Sequence, residues 1–305
     1  MKLGVIYPQV ELRGDPTALR RFAVAAEAVG YDHLVIYDHL VGATSENRNP
    51  PITAPYDERS PFHDPLVAFG FLSGLTERIE FVVAVMIAPA RQTVLMARQA
   101  ADVDLMSNER LRLGVGAGYN PIEFHAAGVD FATRGKKLDQ QIPYLRRLWS
   151  EELISYEGDF DQIDRANIVP RPRRQIPIWC GGFAEVMLRR AVKMADGFIF
   201  GYGLGDDAMQ AWIRLQELLA KAGRSVEGFG AEFLMHPPNG PYAEALKQHT
   251  VAIYSDEETI DGMLRLKDAG ATHVSLYTMD RGFTEVEQHI EYFAAIKQRY
   301  EEAEG

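Results

Sequence analysis

An aspartate and a histidine, Asp38 and His39, stand where the apolar run His33–Tyr37 stops. An imidazole next to a carboxylate at a strand end can be tuned as an acid or a base near neutral pH. Polar residues that only tie down the following loop leave the same trace, and the dipeptide alone does not choose between the two. Two further apolar runs stop in glycine, one in Gly116, Ala117, Gly118, Tyr119 and Asn120, the other in Cys180, Gly181, Gly182 and Phe183. Missing Cβ atoms at such places let a flat ring or a phosphate come close to backbone N–H groups. The second stretch opens a helical pattern, so its amides could hold a phosphate at a helix N-terminus. A tight β–α turn reads the same way. Cys180 suits a small buried filler better than a nucleophile. His39, His236, Asp38 and Asp280 could be gathered as metal ligands, but no His-x-His pair ends any strand, and no metal is expected.

The elements that must position these groups alternate regularly. Ile79–Asn120 reads as strand, crossover helix and strand, and neither apolar run alternates with polar residues, as expected of strands buried on both faces of a parallel sheet. Leu3–Pro8 is a first strand, and Asp15-Pro16 opens a helix that Gly30 ends. After the second strand comes Leu40–His63, proline-rich and without periodicity, the length of an active-site loop or lid. Asp64-Pro65 opens the next helix, and helical patterns cover Pro121–Gly128 and Thr133–Trp149. Ser150–Arg174 is an excursion that includes a hairpin. Strands five to eight are Pro177–Cys180, Phe198–Phe200, Phe229–His236 and His273–Met279, each followed by a helical pattern, one of them opened by the capping box Ser255–Glu258. Eight such units predict an α/β fold, a (β/α)8 TIM barrel with insertions after strands 2, 4 and 7, in one domain over residues 1–305. An open doubly wound sheet would place a dinucleotide fingerprint after strand one, where this chain has Pro8-Gln9-Val10. In barrels the chemistry sits at the C-terminal strand ends, where all the residues singled out above fall.

Composition narrows the function. The 305 residues are 47% hydrophobic and 25% charged, ordinary values for a globular chain. A net charge of −11 disfavours nucleic acid as the main partner. The single cysteine excludes an intrachain disulfide and a cysteine-rich zinc site. MKLGVIYPQ reads as a first strand rather than a signal peptide, no apolar run reaches membrane-spanning length, and a cytoplasmic location is expected.

The run RIEFVVAVMIAPARQTVLMARQAADVDLMSNERLRLGVGAGYNPIEFHAAGVDFATRGKKLDQQIPYLRRLW resembles the luciferase-like monooxygenase superfamily, as do YDHL, YEGDF, PRPRRQIPIWCGG and ADGF, in order along nearly the whole chain. The Asp-His pair after strand two is most similar to the branch that uses the deazaflavin coenzyme F420; FMN-dependent members share the barrel. The resemblance implies a flavin-type oxidoreductase that moves hydride to or from a small carbonyl, alcohol or activated alkene. It implies a bulge with a non-prolyl cis peptide within Ala84, Val85 and Met86, behind the cofactor ring. Gly116 to Asn120 would border the ring and ribityl chain, Gly181, Gly182 and Phe183 the phosphate, and His39 with Asp38 the reactive ring atoms. Many relatives place a Ser, Thr or Asn after the double glycine, where Phe183-Ala184 offers only amides. Arg91, Arg171 and Arg281 are the candidates for an acidic cofactor tail. A homodimer through barrel helices is expected. A non-catalytic flavin-binding protein and a metal-dependent barrel hydrolase are the readings from other classes.

Overall fold

The unbroken apolar runs are explained by what covers their two faces. In the computed structural model, which describes residues 1–49, 56–201, 206–235, 254–279 and 281–304, eight strands close into a parallel barrel. They are β1 (Lys2–Ile6), β2 (His33–Ile36), β3 (Glu80–Ile87), β4 (Leu111–Gly116), β7 (Ile178–Gly181), β8 (Gly197–Phe200), β9 (Gly230–Met235) and β10 (His273–Leu276). Each lies beside its predecessor, and β10 closes onto β1 with Leu3 opposite Val274. Between β4 and β7 the chain makes an antiparallel hairpin of β5 (Ile154–Glu157) and β6 (Gln162–Ala166), the second expected insertion. The third, after β9, falls on residues 236–253 and lies outside the described residues, as do His236 and Asp280.

The helices are α1 (Pro16–Val29), α2 (Pro65–Ser73), α3 (Thr93–Met106), α4 (Pro121–Ala126), α5 (Arg134–Ser150), α6 (Glu185–Met194), α7 (Asp206–Lys221), α8 (Asp256–Asp268) and α9 (Val286–Glu304). Their starts follow the local chemistry. Asp15 accepts the Thr17 N–H, Asp64 accepts those of Leu66 and Val67, and Ser255 with Glu258 forms the reciprocal capping box. Two boundaries differ from those read in the sequence. The second strand stops at Ile36 rather than Tyr37, because its last ladder partner is Val83 and β3 bulges immediately beyond it. Gly181 belongs to β7, where it pairs with Ile199. No helix among the described residues is long and apolar enough to cross a membrane.

Outward-facing strand residues such as Leu34, Phe81, Leu113 and Ile178 pack against the helices in the main core. The inward-facing ones form tiers. At the N-terminal end the tier is polar and buried: Glu232 takes hydrogen bonds from Ser275 (2.6 Å) and Arg112 (2.5 Å) and lies 2.9 Å from His33 Nε2. Arg112 also reaches Glu80 and lies 4.1 Å above the Trp179 ring. Charges this deep persist only when paired. Burial pushes the Glu232 carboxyl up, and Arg112 with His33 more than reverses this, holding it well below the usual range. The bulk of Trp179 is accommodated because β9 starts with glycine: a Cβ on Gly230 would lie 1.8 Å from the indole. Above this tier sit Ile6, Val35, Val82 and Trp179. At the C-terminal end the inward positions shrink to Ala84, Gly116, Gly181 and Gly201, and the barrel opens.

Candidate active site

The opening is built around the end of β3. Between Val83 and Met86 the strand bulges, and the Ala84–Val85 peptide is cis, within the segment where the resemblance placed both features. The bulge turns Val85 toward two neighbouring strands. A Cβ on Gly116 would lie 2.5 Å from Val85 Cγ2, and one on Gly181 would lie 2.6 Å from Cγ1. The space left by these two missing side chains is therefore taken by Val85, and both glycines remain on the cavity wall beside it. Over this platform lies a cavity of about 540 Å³, within the usual range for a cofactor or small-molecule site.

Asp38, His39, Ala84, Val85, Gly116, Ala117, Gly118, Tyr119, Gly181, Gly182 and Phe183 all line it. Met86, Asn120 and Cys180 do not. Strand alternation turns Met86 and Cys180 into the core between barrel and helices, where burial pushes the Cys180 thiol up to about 12. Asn120 is consumed as the N-cap of α4, accepting the Ile122 N–H at 3.0 Å and donating to Tyr56 Oη at 3.1 Å.

The Asp38-His39 pair is not a pair in space. Asp38 accepts from Arg91 Nη2 (2.5 Å) and from the Ile87 N–H (2.8 Å), and Arg91 donates also to Asp64 (2.8 Å). Burial pushes the Asp38 carboxyl up against the opposing pull of Arg91. The same contacts raise Arg91 against its own burial. This cluster clamps the end of β3 to the loop after β2. The carboxylate beside His39 is Glu123, from the first turn of α4, with Oε1 3.4 Å from His39 Nδ1. Glu123 is fully buried. Its Oε1 accepts the Leu40 N–H (2.7 Å), and its Oε2 accepts from Tyr56 Oη (3.0 Å). The Tyr56 ring lies against the imidazole, centroids 3.7 Å apart, and Phe62 approaches edge-on at 4.6 Å. His39 thus faces a carboxylate on one side, at ion-pair distance but without a hydrogen bond to Nδ1, and two aromatic rings on the others.

Toward β7 the cavity changes character. The double glycine leads into α6, whose N-cap, Ala184, makes no side-chain cap; the Met187 N–H donates to the Ala184 carbonyl at 2.8 Å, and the two amides before it, of Glu185 and Val186, have no intrahelical acceptor. Two arginines border this end. Arg190 is bonded to Asp139 at 2.7 Å and to the Gly135 carbonyl. Arg134, at the start of α5, stacks 3.8 Å over the Phe131 ring and donates to its carbonyl, with no carboxylate partner among the described residues. This corner thus presents two amides without an intrahelical acceptor and a guanidinium without a carboxylate partner among the described residues. Arg91, Arg171 and Arg281 do not line the cavity; Arg91 is tied to Asp38 and Asp64, and Arg281 lies over Tyr292.

Residues 1–273 match the family model described as luciferase-like monooxygenase. The chain belongs to this family. Its similarity to an uncharacterised protein of Mycobacterium tuberculosis (strain ATCC 25618 / H37Rv) is 30% identity over 272 residues, 88% of this chain and 87% of that one. An F420-dependent glucose-6-phosphate dehydrogenase of Nakamurella multipartita is 27% identical over 70% of this chain and 60% of its own length. Among solved structures, an F420-dependent secondary alcohol dehydrogenase in complex with an F420-acetone adduct shares the fold, with a TM-score of 0.76 at 16% identity over 97% of both chains. Sequence reasoning passed over three residues that the structure brings to this site: Glu123 and Tyr56 beside His39, and Arg134 on the cavity wall. Asn120-Pro121-Ile122-Glu123 has the spacing of a helix cap, which hides the carboxylate's outward reach. Tyr56 sits in an aperiodic loop. Arg134 follows a threonine in what reads as an ordinary helix start.

Proposed function

We propose that this chain is an F420-dependent oxidoreductase that moves hydride between the deazaflavin and a small carbonyl, alcohol or activated alkene. The observation that carries this reading is the arrangement of His39, backed by buried Glu123, on the wall of a cavity floored by the β3 bulge and ended by an anion-binding corner. The F420-dependent names among the relatives support the deazaflavin over FMN. The fit is local and chemical: Val85 would back the ring, Gly116 to Tyr119 would border it, and Arg134 with the free amides of α6 would take the phosphate. When bound, the cofactor supplies a two-electron hydride acceptor or donor, so oxidising an alcohol breaks its carbinol C–H bond, sends both electrons off as hydride and releases the hydroxyl proton. His39 receives that proton, or returns it in the reductive direction, through the nitrogen not facing Glu123. Glu123, fixed by Leu40 and Tyr56, keeps the imidazole from rotating, and the aromatic faces exclude water.

Titration with F420 and with FMN, following cofactor fluorescence, tests the reading. Binding of F420 is expected, with His39→Ala retaining that affinity and losing turnover. Binding of FMN alone transfers the site to the FMN-dependent alternative, and binding of neither overturns both. Unchanged turnover in His39→Ala refutes the proton-transfer role, and a flavin-binding protein without catalysis becomes the better account if neither variant nor parent turns over any substrate.

We also read residues 1–305 as one domain that pairs with a second copy through α2 and α3. In α2, Val67 is 66% and Phe71 48% exposed although the helix has no polar face, and Val94 and Leu95 of neighbouring α3 extend the patch. A helix apolar all round calls for cover on every side.

A further inference from the structure

The cavity is chemically lopsided. Its cations, Arg134 and Arg190, lie at the corner near α6, and Arg190 is already bonded to Asp139. Around His39 the cavity wall is Tyr37 and Tyr119, and an adjoining small pocket that shares Tyr37 and His39 adds Tyr56 and Phe62, with Tyr277 6.5 Å beyond Tyr37. The carboxylate beside His39 is Glu123, and Arg91, behind Asp38, is held by two carboxylates. Outside the described residues, the sequence has one permanently positive side chain, Lys247. On the reading proposed above, the cofactor phosphate occupies Arg134 and the amides of α6, which leaves the substrate end with no unpaired cation among the described residues.

Building on that reading, we infer that the substrate is an uncharged molecule with an apolar or aromatic body, and that sugar phosphates are rejected. A phosphate dianion set among aromatic faces would lose its hydration without gaining a partner, and the net charge of −11 adds repulsion. An uncharged alcohol or ketone meets none of this. Its apolar part displaces water from ring faces, and its single oxygen needs only the His39 nitrogen. The distinction matters because several relatives of this chain are named as glucose-6-phosphate dehydrogenases.

The experiment uses the intact protein loaded with F420, so that failure to load is scored separately, against the cofactor reading. Binding of acetophenone and of glucose 6-phosphate is followed through the fluorescence of the bound coenzyme, and turnover is compared for 2-alkanols of increasing length, 1-phenylethanol and glucose 6-phosphate. Acetophenone is expected to bind at least 100-fold more tightly than glucose 6-phosphate, roughly the discrimination available to a site that leaves a polar ligand group unpaired. kcat/KM is expected to rise about fourfold per methylene until the wall is filled. Phe62→Arg places a cation beside His39 and, in protein that loads F420, is expected to narrow the preference at least tenfold. Glucose 6-phosphate binding within tenfold of acetophenone, binding of neither by the loaded protein, or no change in preference in Phe62→Arg overturns the inference while leaving the cofactor assignment standing.

Discussion

Replacing Arg134 with alanine removes the one guanidinium at the anion corner that has no carboxylate partner among the described residues. If a cofactor phosphate is held there, the loss is one or two charge-assisted hydrogen bonds, each contributing about 1.5–3 kcal/mol. At roughly 1.4 kcal/mol per factor of ten, one such bond corresponds to a rise in Kd of about 10- to 150-fold. The accompanying loss of stability is small, since the stacking of Arg134 on Phe131, 3.8 Å away, is worth about 0.5–1 kcal/mol at a partly exposed site. Arg134→Lys keeps the charge but not the fork and should fall between the two. Fluorescence titration with F420 at two salt concentrations reads all of this. The parent's affinity should weaken as salt rises, and that of Arg134→Ala should respond less. A Kd for Arg134→Ala within twofold of the parent, in a protein whose thermal midpoint is intact, would falsify the placement of the phosphate.

Glu123→Ala leaves the Leu40 N–H and the Tyr56 hydroxyl without their acceptor, so kcat should drop by about 100-fold while F420 affinity stays within threefold. An unaltered kcat would mean that Glu123 does not hold the imidazole. Stability should fall with acid: burial pushes His273 down to about 2 and His289 to about 4. Below their ordinary value of 6.5 the unfolded chain takes up protons that the folded chain does not, and each histidine then costs about 1.4 kcal/mol per pH unit. Glu232, held low by Arg112 and His33, adds the same sign below its ordinary 4.5. Denaturant midpoints that stay flat from pH 7 to pH 5 would contradict this. Finally, Val67→Asp with Phe71→Asp should convert a dimer to monomer in sedimentation with F420 affinity kept, and a parent that already sediments as a monomer removes the pairing proposal.

The barrel was legible because its signals are local. Asp15-Pro16, Asp64-Pro65 and Ser255–Glu258 each satisfy the N–H groups of their own helix, whatever the rest of the chain does. Strand ends were also legible, so His39, the glycines after strand four and the double glycine could be placed on one rim, and the resemblance added Val85. Partnerships were not. Adjacency joined Asp38 to His39, whereas turning off the strand sends them to Arg91 and Glu123, 53 and 84 positions away. The glycines of β4 and β7 do line the cavity, but that the space of their missing side chains is filled by Val85 could not be read, because Val85 arrives from a third strand.

The packed tiers beneath the cavity have a kinetic consequence. Trp179 and the ion cluster around Arg112 fill the N-terminal end of the barrel, so among the described residues the cavity is reached from the C-terminal end. Whatever lies deepest must arrive first and leave last. If the cofactor proposed above rests on Val85 and the substrate beside His39 and Tyr119, cofactor loading would precede substrate and product would depart before the cofactor. The reaction would then be compulsory-order, with excess product trapping the loaded enzyme, and initial-rate patterns would reveal the same geometry that the glycines and the bulge create.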